Sequence, residues 1–287
     1  MKRRSGGIPC FRKPKRIYRL SPAPEDRKKF AGLRRLVRIA GKPFADAPSA
    51  RRRRALLVSG EGNACAPPGA RISLRGMERS IITLSGRREA PFFKEFLLAR
   101  NPRLKIFAVH DREDLASAID RTGGAARLIA FVTDVIVPTR LLTRLNFTPY
   151  NIHPGPPEYP GSHPESFAIW EMAETFGVTA HEMTPRVDDG PIVAVCRFPM
   201  PLLPERVALA DLTYARAIEV FAVVAAHCAE SNEPMPRMNI QWSGVKRTRS
   251  QFRALCGAAS DMTGNEAERL KRACGNAMTR QHIADVL

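Results

Sequence analysis

The sequence is poor in several features that define common protein classes. It has only six cysteines in 287 residues, and none forms a Cys-x-x-Cys pair. This spacing predicts neither a zinc site nor a disulfide framework, and it favours a reducing compartment. No apolar run approaches the roughly 18 to 20 residues that a membrane span needs. The charged amino terminus lacks the apolar core of a secretory signal. We therefore predict a cytoplasmic protein with no bound metal and no membrane partner.

Acidic residues are scarce in the first quarter of the chain. Residues 1–76 hold 21 of the 46 Lys and Arg residues but only 4 of the 28 Asp and Glu residues, so this segment carries nearly all of the net charge of +18. Three interpretations stay open: a disordered basic tail, a translation start at Met77, and an Arg-rich organelle transit peptide. Basic segments attract phosphate without sequence preference, so nucleic-acid contact is expected only here.

Short apolar runs alternate with helical patterns across residues 77–245. Alternation of this kind is typical of βαβ units, so we predict an α/β fold with a doubly wound, mostly parallel, Rossmann-like sheet. Two further strands, joined by a short turn, are expected to extend the sheet in antiparallel fashion. Residues 246–287 are predicted to form a short helical tail. The strands are predicted near 80–86, 104–110, 127–132, 147–153, 177–183 and 190–198, and the helices near 89–100, 111–124, 138–145, 164–174 and 206–230.

The loop after the first predicted strand reads SGRREA. It is neither G-x-G-x-x-G nor a phosphate-binding G-x-x-x-x-G-K-[ST] loop, which disfavours a nicotinamide dehydrogenase and an NTPase. Ser85, Gly86, Arg87 and Arg88 nevertheless stand where a strand feeds a helix. Backbone N–H groups and two guanidiniums there suit an anionic group of the substrate. Alternatively, both arginines only solvate the first turn, where the helix dipole slightly disfavours them.

Two polar residues end the fourth predicted strand. Asn151 and His153 are two positions apart, so both side chains leave the same face of the strand. Strands of this kind of sheet bind ligands at their carboxyl ends, which is where the pair lies. An amide that donates a hydrogen bond, beside an imidazole that can hold a proton, is what a developing oxyanion requires. The pair therefore predicts a reaction centre.

The stretch GVTAHEMTPRVDDGPI, residues 177–192, offers further polar groups. Asp189-Gly190 is a strong turn dipeptide, which leaves one of the two adjacent aspartates available as a carboxylate near the histidine. His181 stands in the middle of a predicted strand. Its pattern fits a structural histidine and a site residue equally well, so both interpretations stay open.

Taken together, these motifs resemble the folate-dependent formyltransferases. The resemblance covers about residues 78–249, and QWSGVKRTR looks like the closing segment of that family. One departure is the loop after His-Pro, where the family often has an arginine and this chain has Pro160, although Tyr159 and Gly161 are kept. The motifs are Asn151-Ile152-His153-Pro154, Gly161, Gly177-Val178-Thr179 and Val187-Asp188-Asp189-Gly190.

The resemblance implies the chemistry of the site. The catalytic Asn, His and Asp of the family correspond to Asn151, His153 and Asp188. The formyl donor is expected to be 10-formyltetrahydrofolate, and the acceptor the amine of a small molecule, phosphorylated or nucleotide-linked. His163 could also reach the acceptor, although Pro164 after it reads as the start of a helix. The resemblance further assigns donor contacts to Val135, Ile136, Arg186 and Val187.

Several acceptors and one inactive alternative stay open. Hydrolysis of the donor would use the same three residues with water as the acceptor. Methionyl-tRNA formyltransferases carry a second, barrel-shaped domain of about 100 residues, whereas only about 40 residues follow Gln241-Trp242-Ser243-Gly244 here; this disfavours a tRNA acceptor. From another class, the chain could be a basic RNA-binding protein with an inactive formyltransferase-like domain, although keeping all three residues argues against it.

Overall fold

The computed structural model describes residues 79–258, 264–275 and 277. The basic segment, with its three interpretations, lies outside the described residues, and so does the end of the predicted helical tail. The strands are β1 (Ser80–Leu84), β2 (Lys105–Val109), β3 (Ala126–Phe131), β4 (Tyr150–His153), β5 (Thr175–Glu182) and β6 (Ile192–Pro199). The helices are α1 (Ala90–Arg100), α2 (Arg112–Thr122), α3 (Thr139–Leu142), α4 (Pro164–Trp170), α5 (Arg206–Glu230), α6 (Arg249–Gly257) and α7 (Gly264–Cys274).

The described strands form one sheet in the order β2-β1-β3-β4-β5-β6. β1 pairs in parallel with both β2 and β3, and β3 pairs in parallel with β4. β5 and β6 are antiparallel additions beside β4. The predicted α/β class, with its mostly parallel sheet and antiparallel extension, is confirmed. The parallel arrangement brings the carboxyl ends of β1, β3 and β4 to one edge, where ligands bind in sheets of this type.

Local signals in the sequence explain where the elements begin and end. Asp111 caps α2, because its side chain accepts the backbone N–H of Asp114 at 2.8 Å. Gly123 ends the same helix in the left-handed conformation, at φ 56°, which glycine adopts without a steric cost. Pro164 is the first residue of α4, and its lack of an N–H is harmless in the first turn of a helix.

Helices cover both faces of the sheet. On one face, Ile82, Leu84 and Leu128 of the strands pack with Leu115 and Ile119 of α2 in one buried cluster. On the other face, Phe93 of α1 stacks on Phe221 of α5, and both rings contact Phe131 of β3. Burial of large apolar side chains on both faces is the main stabilising term for such a layered fold.

The closing part of the chain packs onto the sheet layers. Phe252 of α6 and Leu270 of α7 are buried in the same cluster as Phe167 of α4 and Phe176 of β5. The helices predicted in the tail are present where the structure describes it, whereas a domain boundary at residue 245 stays a prediction. None of the helices in the described ranges is both long and apolar enough to cross a membrane.

Candidate active site

The register between β4 and β5 builds the first half of the site. Asn151 pairs directly with His181 across the two strands, and His153 pairs with Thr179. Side chains that face each other in an antiparallel pair lie within contact distance. The Asn151 amide therefore meets the His181 ring, with 3.1 Å between Nδ2 and Nε2. The other ring nitrogen of His181, Nδ1, lies 2.9 Å from the carbonyl oxygen of Glu182.

Asp188 brings the loop between β5 and β6 to this pair. One carboxylate oxygen lies 3.4 Å from His153 Nδ1 and the other lies 3.4 Å from His181 Nε2. The carboxylate also accepts the backbone N–H of Gly161 at 2.8 Å. Asp188 has a backbone φ of 48°, a conformation that non-glycine residues seldom adopt. Asn151, His153 and Asp188 thus meet in one cluster, with His181 between the amide and the carboxylate.

The loop after β4 holds the His153 ring from the other side. His153 Nε2 lies 2.9 Å from the backbone oxygen of Tyr159. Because a carbonyl oxygen can only accept, this nitrogen carries the proton when the bond forms. A side chain at Gly155 would place its Cβ 2.6 Å from the same nitrogen, so the loop approaches the imidazole where only glycine fits. Both ring nitrogens of His153 are engaged by the protein.

Charge and burial set the ionisation of Asp188. Burial would raise the pKa of its carboxyl, but the charge of His153, the hydrogen bond and charge of His181, and the Gly161 N–H together lower it to about 2. The carboxylate is therefore ionised at neutral pH. A group this acidic is a weak base, so the carboxylate is suited to accept hydrogen bonds from the imidazoles rather than to take a proton itself.

The lowered pKa of Asp188 makes folding stability depend on pH. A carboxyl whose pKa falls from 3.8 to about 2 on folding contributes stability above its unfolded pKa, and the contribution disappears as the pH falls through the folded pKa. We expect wild type to lose about 2 kcal/mol from this group between about pH 4 and pH 2. Asp188→Asn lacks the titrating group. Urea unfolding across this range should show a smaller loss in the variant; parallel curves would contradict the assignment.

The residues predicted to hold an anion lie after β1. Ser85 is buried and bonds to its neighbours, because its N–H reaches Val109 O and its carbonyl meets His110 Nδ1 at 2.8 Å. Arg87 and Arg88 are exposed. The carboxylate of Glu89 lies over Gly86, where a Cβ would come within 2.3 Å of Oε2. An acidic group thus shares this loop with the two arginines, and anion binding here stays a prediction.

The residues expected to contact the donor lie in two loops, one after β3 and one between β5 and β6. Val135 and Ile136 follow β3, and Arg186 and Val187 precede Asp188. Ile136 is 56% exposed and Val187 41%, so both side chains are accessible to a ligand. The Arg186 side chain pairs with Asp189 at 2.8 Å. Their contact with the donor stays a prediction.

His163 is the N-cap residue of α4. Its Nδ1 accepts from the Arg206 guanidinium at 3.1 Å, and its ring lies on Phe252 with 3.9 Å between centroids. Its backbone is left-handed, at φ 55°. These contacts attach α4 to α5 and α6. A contact between His163 and the acceptor stays a prediction.

Two residues, His181 and Trp242, make more contacts within the cluster than the sequence indicated. His181 joins the amide to the carboxylate, although its pattern left a structural role open. The register of β4 and β5 could have distinguished a structural role of His181 from a role in the site. In that register Asn151 and His181 face each other. The second residue is Trp242, whose ring stands edge-on to both imidazoles. It stands in QWSGVKRTR, the segment that resembles the closing stretch of the family, but nothing in that segment alone predicts its contact with the imidazoles.

An amide, two imidazoles and a carboxylate thus meet beside the central strands of an α/β sheet. The sequence profile of the formyl transferase family matches residues 102–206. This match, over little more than a third of the chain, supports the resemblance to the formyltransferases drawn from the motifs. A search of curated protein sequences finds no match.

Solved structures agree on the fold. A sugar N-formyltransferase from Shewanella sp. FDAARGOS_354 matches with a TM-score of 0.58 and 18% identity, over 69% of this chain and 88% of that one. A 4-N formyltransferase from Francisella tularensis gives 0.55 and 14%, over 68% and 87%. An N-formyltransferase from Helicobacter canadensis, in complex with folinic acid and dTDP-3-aminofucose, gives 0.50 and 15%, over 69% and 80%. These identities support the shared fold alone.

Proposed function

We propose that the protein transfers a formyl group from 10-formyltetrahydrofolate to the amine of a small acceptor. The observation that carries the proposal is the Asp188 carboxylate, which lies 3.4 Å from both His153 Nδ1 and His181 Nε2, with Asn151 bonded to the second imidazole. Asn151, His153, His181 and Asp188 all lie within residues 102–206, the stretch that matches the formyl transferase profile, which supports the proposal. The reaction is an attack of an amine on a formamide-like carbon, which develops negative charge on the formyl oxygen.

Asn151 is the proposed donor to that oxygen. Among Asn151, His153 and Asp188 it is the one that is not fully buried. One N–H of its amide can serve His181 while the other faces the incoming formyl group. A fixed donor aimed at the developing oxyanion stabilises the transition state more than the substrate.

His153 is the proposed proton carrier. Its imidazole would exchange the hydrogen bond to Tyr159 O for one to the reacting nitrogen, since hydrogen bonds in free enzymes often rearrange in the reactive complex. In the reactive complex the ring proton would lie on Nδ1, toward Asp188, so that the free Nε2 takes a proton from the attacking amine and returns one to the folate nitrogen as the bond to the formyl carbon breaks. The ionised Asp188, 3.4 Å from Nδ1, stabilises the imidazolium between these steps.

The surroundings of the cluster suit the donor. Exposed apolar side chains at Ile136 and Val187 offer contact area to an aromatic pterin ring. The Helicobacter canadensis protein binds folinic acid, a folate, together with a nucleotide-linked amino sugar. We therefore propose a nucleotide-linked amino sugar as the acceptor class, which agrees with the small, anionic amine expected from the sequence.

A donor-consumption assay tests the proposal. The full chain, given 10-formyltetrahydrofolate and a panel of amines, should release tetrahydrofolate fastest with amino-sugar nucleotides, since these carry both the amine and an anionic group. Folinic acid should raise the melting temperature, because a ligand that binds only the folded state stabilises it. Donor loss at one rate with and without amines would indicate a hydrolase. No donor loss and no thermal shift would reject the proposal.

A further inference from the structure

One indole touches both imidazoles of the site. The Trp242 ring stands nearly perpendicular to the His181 ring, with 5.1 Å between centroids and an angle of 87°. It meets the His153 ring at 5.7 Å and 71°. Edge-to-face packing at these distances is favourable for aromatic pairs. Trp242 lies beyond residues 102–206, the stretch that the family profile matches.

The segment that carries this indole is fixed to both site loops. Trp242 Nε1 donates to the carbonyl oxygen of Gly190, just after Asp188, at 2.8 Å. Its neighbour Ser243 donates its N–H to Pro157 O at 3.0 Å and its hydroxyl to Glu158 O at 3.0 Å. The indole is therefore held between the loop that carries the carboxylate and the loop that holds His153.

The indole is also more exposed than the two imidazoles that it contacts. His153 is only 4% exposed and His181 2%, whereas Trp242 is partly exposed. Their remaining polar neighbours are Asn151, Asp188 and the backbone oxygens of Tyr159 and Glu182. Without the indole, one side of both rings would face water.

We propose that Trp242 is a positioning residue that holds the two imidazoles and excludes water from them, so that the formyl group passes to an amine rather than to water. This inference rests on the proposed function. In both outcomes the bond between the formyl carbon and the folate nitrogen breaks and that nitrogen gains a proton. Amine attack yields a formamide, whereas attack by water yields formate. Since water reaches the same carbon, its exclusion decides the ratio of the two products.

Chemical labelling of the histidines tests whether Trp242 covers the two imidazoles, and it does not depend on enzymatic activity. Diethyl pyrocarbonate acylates accessible, unprotonated imidazole nitrogens, and peptide mass mapping gives the rate at each histidine. Relative to His227 on α5, we expect His153 and His181 to react several-fold faster in Trp242→Ala than in wild type. Trp242→Phe keeps a ring over both imidazoles and should react at nearly the wild-type rates. Equal rates in Trp242→Ala and wild type would overturn the proposal.

The other tryptophan provides a matched control. Trp170 ends α4, where its ring lies under the Arg269 guanidinium at 4.7 Å. Trp170→Phe should leave the labelling of His153 and His181 unchanged. If the labelling of His153 and His181 rose as much in Trp170→Phe as in Trp242→Ala, the rise would show a general loosening of the fold. The proposal that Trp242 specifically covers the imidazoles would then be rejected.

Analysis of the reaction products tests whether Trp242 keeps water from the formyl group. In Trp242→Ala the ratio of formate to formylated amine should rise by about tenfold, which corresponds to about 1.4 kcal/mol of discrimination, and Trp242→Phe should restore most of the wild-type ratio. An unchanged ratio in a variant whose imidazoles have become reactive would refute the exclusion of water. If wild type yields neither product, the proposed function fails, while the labelling still decides whether Trp242 covers the imidazoles.

Discussion

We expect Asp188→Asn to lower the rate of the proposed formyl transfer by about 10³- to 10⁴-fold, because it removes the charge proposed to stabilise an imidazolium. The carboxylate lies 3.4 Å from a nitrogen of each histidine. An amide of the same shape has no charge, and it can present an N–H to the ring, which favours the wrong tautomer. Steady-state kinetics should show the loss in kcat with little change in KM, because Asp188 is not among the proposed donor contacts.

The adjacent Asp189 provides a control, because Asp189→Asn also removes one negative charge but leaves the Asp188 carboxylate in place. Asp189 is exposed and pairs with the Arg186 side chain at 2.8 Å, so Asp189→Asn should keep kcat within about twofold, as surface changes usually do. Circular dichroism and folinic acid binding should match wild type in both variants. A folded Asp188→Asn protein with wild-type kcat would show that the carboxylate has no part in the reaction.

Asn151→Ala removes the proposed donor to the oxyanion and lowers kcat by about 10²- to 10³-fold, or about 3 to 4 kcal/mol in the barrier. The His181 ring also loses a partner that lies 3.1 Å from its Nε2. The effect should fall on kcat, because the oxyanion exists only in the transition state.

A second asparagine serves as the control for this change. Asn146 is exposed and lies in the loop before β4, so Asn146→Ala should alter neither kcat nor KM. If Asn151→Ala raised KM and left kcat unchanged, the amide would bind substrate in the ground state. The role in oxyanion stabilisation would then be wrong.

Much of the fold follows from local patterns in the sequence. The apolar runs that became β1, β2 and β3 stand between helical patterns, and a cap such as Asp111 marks its helix without any tertiary information. The predicted helix near 164–174 is too long, since α4 ends at Trp170. Met172 there has a left-handed backbone, at φ 56°, which turns the chain toward β5; an Ala- and Glu-rich sequence gives no sign of this turn.

The site was only partly predictable, because its contacts join distant segments. Asn151, His153 and Asp188 stand in motifs of their own, so the sequence alone proposed them as site residues. His181 lies in the cluster because the register of β4 and β5 sets it opposite Asn151. Trp242 lies there because its segment returns to the loops around Glu158 and Gly190. Neither pairing has a period or a spacing that a single sequence reveals.

Transfer of an isotope-labelled formyl group tests the central claim most directly. Full-length protein would be given 10-[¹³C]formyltetrahydrofolate and the best acceptor from the amine panel, and mass spectrometry would follow the label on the acceptor nitrogen. The account predicts labelled product with wild type and Asp189→Asn, and a loss of about 10³-fold or more with Asp188→Asn. Equal labelling by wild type and Asp188→Asn would contradict it.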